Sequence, residues 1–241
     1  RRASAERITA VIPYFGYSRQ DRKDRSRVPI SAKLVLDIIE TAGIDRVVTM
    51  DLHSPQVGGF TNLPFDHLTF EPVLINYIKN NYDPSEIRNN IVLMAPDVGA
   101  VKRIEKYASL LKCDFGFISK KRIGDEKVEL QSLVGDVKNK KVIIIDDLTE
   151  SCGTIIQAAE ACKKNGAKYV ITVVTHGCIT ETGVTRLEPM LINKTIDEFI
   201  YSNTTNIAEK TKISPMLTRL DVSMLFAKAI NNIHKNESVS E

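Results

Sequence analysis

The chain has no apolar run near the roughly 18–20 residues that a bilayer-crossing helix needs, so no membrane span is expected. Its four cysteines, Cys113, Cys152, Cys162 and Cys178, include no C-x-x-C pair and no histidine at zinc spacing. That excludes a zinc ribbon and a disulfide scaffold, and fits free thiols in a reducing, cytoplasmic compartment. Sequons at Asn193, Asn203 and Asn236 would carry no meaning there. A formal net charge of +3 over 241 residues is too small to argue for a nucleic-acid partner. Neither a G-x-x-x-x-G-K-[ST] loop nor a G-x-G-x-x-G turn occurs, which removes the P-loop kinases and the dinucleotide-binding folds. The chain opens Arg1-Arg2-Ala3-Ser4 with neither an initiating Met nor a signal-peptide core, as expected of a processed or partial chain.

What is present is strand–helix alternation. With 43% hydrophobic residues, the length suits one large or two modest globular domains. Residues 8–12, 46–50, 91–95, 115–118, 141–145 and 169–175 read as buried strands. Helical spacing falls at 31–42, 71–80, 100–111 and 154–164, with Gly43 and Gly166 placed to end two of these helices. The pattern predicts an α/β fold with parallel sheets flanked by helices. Two βαβ groups, near 8–67 and 90–176, are joined by the helix carrying Pro72 and the polar stretch 80–90. The division expected is 1–70, 71–220, and a C-terminal helix and tail over 221–241. In that tail Val222, Leu225, Phe226, Ala229, Ile230 and Ile233 follow helical spacing.

In open parallel sheets, ligands sit beyond the carboxyl ends of the strands, and five segments fall there. The most specific is Val142–Thr154, an apolar strand running into Asp146-Asp147, then a Ser151–Thr154 turn into a helix. The acids can accept hydrogen bonds from sugar hydroxyls or hold a divalent metal, and the helix N-terminus favours an anion. A ligand with hydroxyls at one end and phosphate at the other satisfies both, which describes a phosphorylated sugar.

Tyr14–Arg25 mixes aromatic surface with dense positive charge, suiting a nucleotide, a nucleic-acid patch or merely a solvated loop. Asp51 and His53, two apart on an extended segment with Asp66 downstream, could share a hydrated Mg²⁺; a lone histidine is otherwise structural. Asp97, after the strand 91–95, is a helix cap or a ligand. Ser119–Glu126 reads as a mobile, basic excursion able to neutralise phosphoryl charge, or as an ordinary exposed hairpin.

In combination these segments resemble ribose-phosphate diphosphokinase, the phosphoribosyl pyrophosphate synthetase family, of type I phosphoribosyltransferase fold. Ile143–Thr154 looks like its phosphoribosyl-diphosphate motif, and Tyr17–Lys23 is similar to its ATP loop. Ile30–Leu34, Met50–His53, Pro96-Asp97, Lys120–Arg122, Leu133–Val137 and Thr175–Gly177 fall in family register. The resemblance implies two phosphoribosyltransferase-like domains, the first incomplete, and diphosphate transfer from ATP to ribose 5-phosphate. By it, Arg19, Gln20, Asp21 and Asp24 hold ATP, while Asp51, His53, Asp66 and Asp97 serve Mg²⁺. Lys120 and Arg122 meet the transferring diphosphate. Asp146 and Asp147 accept the ribose hydroxyls, and Glu150, Ser151, Cys152, Gly153 and Thr154 cradle the 5-phosphate.

The resemblance further implies a homo-oligomer, a hexamer built from dimers, with phosphate and ADP as effectors and neither nucleic acid nor membrane as partner. The chain departs from the pattern at Glu150, where the family has Asp, at Asn62, where it has an acid, and in an amino-terminal portion of several dozen residues with a Phe-Asn-Asp-Glu segment. A non-catalytic associated subunit of the synthetase is the alternative.

Overall fold

The computed structural model describes residues 1–123, 128–207 and 216–239, without the side chains of 120–131. Two compact units divide the chain: Arg1–Phe70 with Val222–Glu241, and Glu71–Asp221.

The first unit carries a three-stranded parallel sheet, β1 (Thr9–Ile12), β2 (Arg46–Met50) and β3 (Phe65–Leu68), in that spatial order. Helix α1 (Ser31–Thr41) makes the β1–β2 crossover and turns Ala32 and Leu36 inward, where they join Phe15, Val47, Leu52 and Val57 in one core. Gly43 takes φ +88° directly after this helix, a conformation that side-chain-bearing residues avoid. Phe15 meets Phe65 edge to face at 6.4 Å.

The second unit is built on a seven-stranded sheet. Its strands are β4 (Ile91–Ala95), β5 (Asp114–Ile123), β6 (Val128–Val134), β7 (Lys141–Thr149), β8 (Tyr169–Gly177), β9 (Glu198–Ser202) and β10 (Leu217–Leu220), ordered β10-β9-β8-β7-β4-β5-β6. Every pairing is parallel except β5 with β6. All five residues of β4 and eight of the nine in β8 are buried, as strands covered on both faces require. The covering helices are α2 (Glu71–Asn81), α3 (Pro84–Asn90), α4 (Val101–Leu111), α5 (Gly153–Lys164) and α6 (Glu181–Ile192). A last helix, α7 (Ser223–Lys235), belongs to the first unit and buries Phe226, Ala229 and Ile233.

Two sequence expectations are corrected. The polar stretch after α2 is itself a helix, because Pro84 pre-sets the first helical φ, Glu86 lies in the first turn and Arg88 in the last. The strand expected to end at Ile118 runs on to Ile123 and pairs antiparallel with β6, Lys120 opposite Gln131 and Arg122 opposite Glu129. Consecutive polar residues hid this extension, which needs no apolar run because it continues past the register with β4 and pairs with β6, the edge strand.

At the amino ends of the central strands, Lys141 Nζ lies 3.9 Å from the Tyr82 ring centroid and 3.0 Å from Glu86, with the Tyr169 ring 5.6 Å away. Neighbouring Glu198 accepts from Tyr77 and Thr218, and burial followed by the Glu198 charge pushes the Tyr77 hydroxyl up to about 12. This cage ties α2 and α3 to the sheet. Lys141→Met is expected to cost about 1–2 kcal/mol, the worth of a partly desolvated cation over an aromatic face. Urea unfolding measures it, and an unchanged midpoint would show the cage to be idle.

Candidate functional site

The acidic strand end predicted from sequence is the end of β7. Asp147 is buried and Asp146 nearly so, and the Asp147 backbone N–H donates to Asp146 Oδ1 at 2.9 Å. Two carboxylates this close cannot both ionise cheaply. Burial, then the hydrogen bond and charge of Asp147, pushes the Asp146 carboxyl up to about 8. The opposing influence is Arg103 of α4, whose Nη2 lies 3.3 Å from Asp146 Oδ1 and 3.6 Å from Asp147 Oδ1.

The pair has a consequence for stability. Unfolded, Asp146 releases its proton near 3.8; folded, it keeps it to about 8. Between these values the native state binds more protons, so this residue's contribution to stability falls as pH rises from about 4 through 8. Asp146→Asn is expected to remove that slope. Urea denaturation of both proteins at pH 5, 6.5 and 8 checks it, and parallel pH profiles would refute the raised value.

Beyond the pair, Cys152 occupies the left-handed region at φ +58° and fully buries a thiol that desolvation raises to about 11. That thiol is a packing group, not a nucleophile. The same kink brings Gly153 to the start of α5, whose N-terminus has no side-chain cap and no acid in its first turn. Its leading N–H groups therefore suit an anion.

Helix α6 buttresses the turn from the other side. Thr180 donates to the Glu150 carbonyl from both N (3.0 Å) and Oγ1 (3.2 Å), and also caps α6 by accepting from Gly183 N. A methyl group on Gly183 would stand 2.2 Å from the Glu150 oxygen. One turn further on, Arg186 Nη1 lies 3.6 Å from where a Gly153 Cβ would be. Glu150 is exposed, and its backbone carbonyl anchors the turn to Thr180.

Asp97 lies two residues beyond β4 and uses Oδ1 to accept from Ala100 N at 3.2 Å, capping the 3₁₀ turn that leads into α4. The side chains of Lys120 and Arg122 lie outside the described residues; their backbone is the outer part of β5.

In the first unit, Asp51 sits at φ +38° at the end of β2 and accepts from Phe70 N at 3.3 Å through Oδ1. Exposed His53 follows. The loop is set by His67, which accepts from Leu52 N at 2.8 Å through Nε2. Desolvation holds the His67 pKa down against the opposing charge of Asp51, keeping the ring a neutral acceptor. Asp66 turns to Arg46, with 2.9 Å between Oδ2 and Nη1.

The basic loop carries exposed Arg19, Gln20 and Asp24. It is tied to α1 by Ala32 N donating to Gln20 O at 3.2 Å, and to the Asp51–His53 side by Gln56 donating to Asp21 at 2.6 Å. Thus the loop and the Asp51 turn come together within the first unit, and Asp146, Asp147 and 150–154 within the second. Among the described residues no three His, Cys, Asp or Glu side chains gather at metal-ligand spacing. Arg103, Arg186, Thr180, Gly183, His67 and Gln56 were not legible in the sequence. Each lies outside the motifs, on a neighbouring helix or strand that only the fold brings in.

Known proteins share this fold. A family model of the N-terminal domain of ribose phosphate pyrophosphokinase matches residues 1–43, and one of the phosphoribosyl synthetase-associated domain matches 120–241. Ribose-phosphate pyrophosphokinase A of Dictyostelium discoideum is 44% identical over 240 residues, covering 100% of this chain and 73% of its own. Ribose-phosphate pyrophosphokinase 3 of Saccharomyces cerevisiae is 42% identical over 238 residues, covering 99% and 72%. The crystal structure of phosphoribosylpyrophosphate synthetase from Mycobacterium smegmatis superposes with a TM-score of 0.86 at 39% identity, over 98% of this chain and 74% of that one. Two helix-flanked sheets with an acidic strand end and a phosphate-type turn define an α/β protein of the type I phosphoribosyltransferase class. Within that class the chain belongs to the ribose-phosphate pyrophosphokinase family.

Proposed function

We propose that the protein transfers diphosphate from ATP to the anomeric hydroxyl of ribose 5-phosphate, giving 5-phosphoribosyl 1-diphosphate and AMP. The observation that carries this reading is the β7 end, where an acid pair for hydroxyls is followed at once by an uncapped helix N-terminus for a phosphate. The sugar's C1 oxygen forms a bond to the β-phosphorus and gives up its hydroxyl proton to solvent, the bond from that phosphorus to the α-phosphate bridging oxygen breaks, and AMP leaves with the electron pair.

Asp146 and Asp147 accept the ribose hydroxyls. The 150–154 turn takes the 5-phosphate, with Arg186 supplying a cation beside it. Arg19, Gln20, Asp21 and Asp24 bind ATP in the first unit. Lys120 and Arg122 stabilise charge on the transferring group, an electrostatic role without a covalent intermediate.

Mg²⁺ fits the donors present. The candidates are carboxylates and one imidazole, with no three-ligand cage among the described residues, and Mg²⁺ keeps several waters and binds through one or two carboxylates plus substrate phosphates. Within the first unit Asp51 would be such a carboxylate, with His53 hydrogen-bonding a coordinated water, and within the second unit Asp97 would be one; each has one oxygen already oriented by a backbone N–H. Asp66, paired to Arg46, is the least available of the four. The ion's contribution is to neutralise phosphate charge.

Incubation with Mg²⁺, ATP and ribose 5-phosphate should produce AMP and the diphosphate product in equal amounts. Tight binding of both substrates with no AMP would point instead to a non-catalytic associated subunit, a reading favoured by Glu150 standing where the family has Asp. Lys120→Ala is expected to lower kcat by at least about a hundredfold with little change in KM, the signature of an interaction made in the transition state. A raised KM alone would reject that role.

A further inference from the structure

The sugar-accepting pair is never alone in this structure. Helix α4 starts from the turn capped by Asp97 and is fixed by Ile104, which is fully buried. That places Arg103, in the helix's first turns, across the parallel β4–β7 pairing and over the end of β7. We propose that Arg103 is the positioning residue of the acidic strand end, bridging Asp146 and Asp147 and favouring the ionised, hydroxyl-accepting form of the pair over the protonated one. The inference rests on the reading of this pair as the sugar site.

Three observations support it. A single Arg103 nitrogen, Nη2, lies within 4 Å of both carboxyl groups, at 3.3 and 3.6 Å. Among the described residues the charged groups acting on Asp146 are Asp147 from its own strand and Arg103 from α4, which supplies the opposite charge. Both acids are largely withdrawn from water, with side chains 15% and 8% exposed, so solvent cannot substitute for the guanidinium. An ionised carboxylate accepts hydroxyl hydrogen bonds about twice as strongly as a neutral group. Losing Arg103 would leave burial and mutual repulsion unopposed, and a further proton would be retained on the pair.

The test uses the full chain and direct calorimetric binding of ribose 5-phosphate from pH 6.5 to 9. Arg103→Met is expected to weaken binding at pH 7 by roughly tenfold per unit of upward displacement of the pair's titration. The ratio to wild type should shrink as pH rises, and Arg103→Lys should restore most of the affinity. A loss that does not vary with pH, or a gain in affinity, would overturn the inference.

Carboxyl-carbon NMR of Asp146 supplies a readout that needs no ligand. Its midpoint should move up in Arg103→Met, and an unmoved midpoint also overturns the proposal. If the wild type binds no ribose 5-phosphate, the functional reading falls, and the NMR titration still decides what Arg103 does to the pair.

Discussion

Asp147→Asn should lower kcat/KM for ribose 5-phosphate by at least about a hundredfold while leaving the melting temperature within a few degrees of wild type. The substitution keeps size and shape but replaces an acceptor oxygen by an N–H donor, so one ribose hydroxyl loses its partner. Hydrogen bonds to a charged acceptor contribute about 1.5–3 kcal/mol each, and the buried amide would also face the Arg103 guanidinium, donor against donor. Side-chain exposure of 8% leaves no room for water to take over. AMP release at varied ribose 5-phosphate, with ATP saturating, gives the number. A change of less than threefold would mean that the sugar is held elsewhere.

The second large effect is expected far from any motif. Gly183→Ala brings a methyl carbon to 2.2 Å from the Glu150 carbonyl oxygen and 2.8 Å from Ile179 Cγ2. The first of these is backbone and cannot turn aside, so α6 or the 150–154 turn must move. Overpacking of this kind costs typically about 1–3 kcal/mol, which in a chain this size lowers the melting midpoint by on the order of 5–10 °C. Moving the turn also disturbs the Thr180 anchor on Glu150, so phosphate affinity should fall more than ATP affinity does. Differential scanning calorimetry with separate titrations of the two substrates would show it. Unchanged thermal and binding behaviour would mean that the close approach is not maintained in solution.

These two residues mark the limit of what the sequence discloses. Asp147 was legible because its signal is local: an apolar strand, two acids and a glycine-containing turn within a dozen positions. The strands Arg46–Met50, Ile91–Ala95 and Lys141–Ile145 were legible for the same reason, since burial on both faces writes a short, mostly apolar run rich in Val and Ile. Glu198–Ser202 and Phe65–Leu68 were missed because they mix charged or hydroxyl residues into short strands. Gly183 and Arg103 act across a gap in sequence, and neither belongs to a pattern. What constrains each is a distance to a residue more than 30 positions away, which exists only once β4, β7 and α6 are assembled.

The membership of α7 in the first unit bears on the order in which the chain can fold. Residues 71–221 form one uninterrupted stretch, and every strand of their sheet lies within it. During synthesis that stretch can close its own core as it leaves the ribosome. The first unit must wait until residues 222–239, including α7, have emerged, and it must then close a loop of some 150 residues to recruit them. Such late, long-range closure is the slow part of folding. Truncation within α7 should therefore strand Arg1–Phe70 incompletely packed, while the second unit still matures.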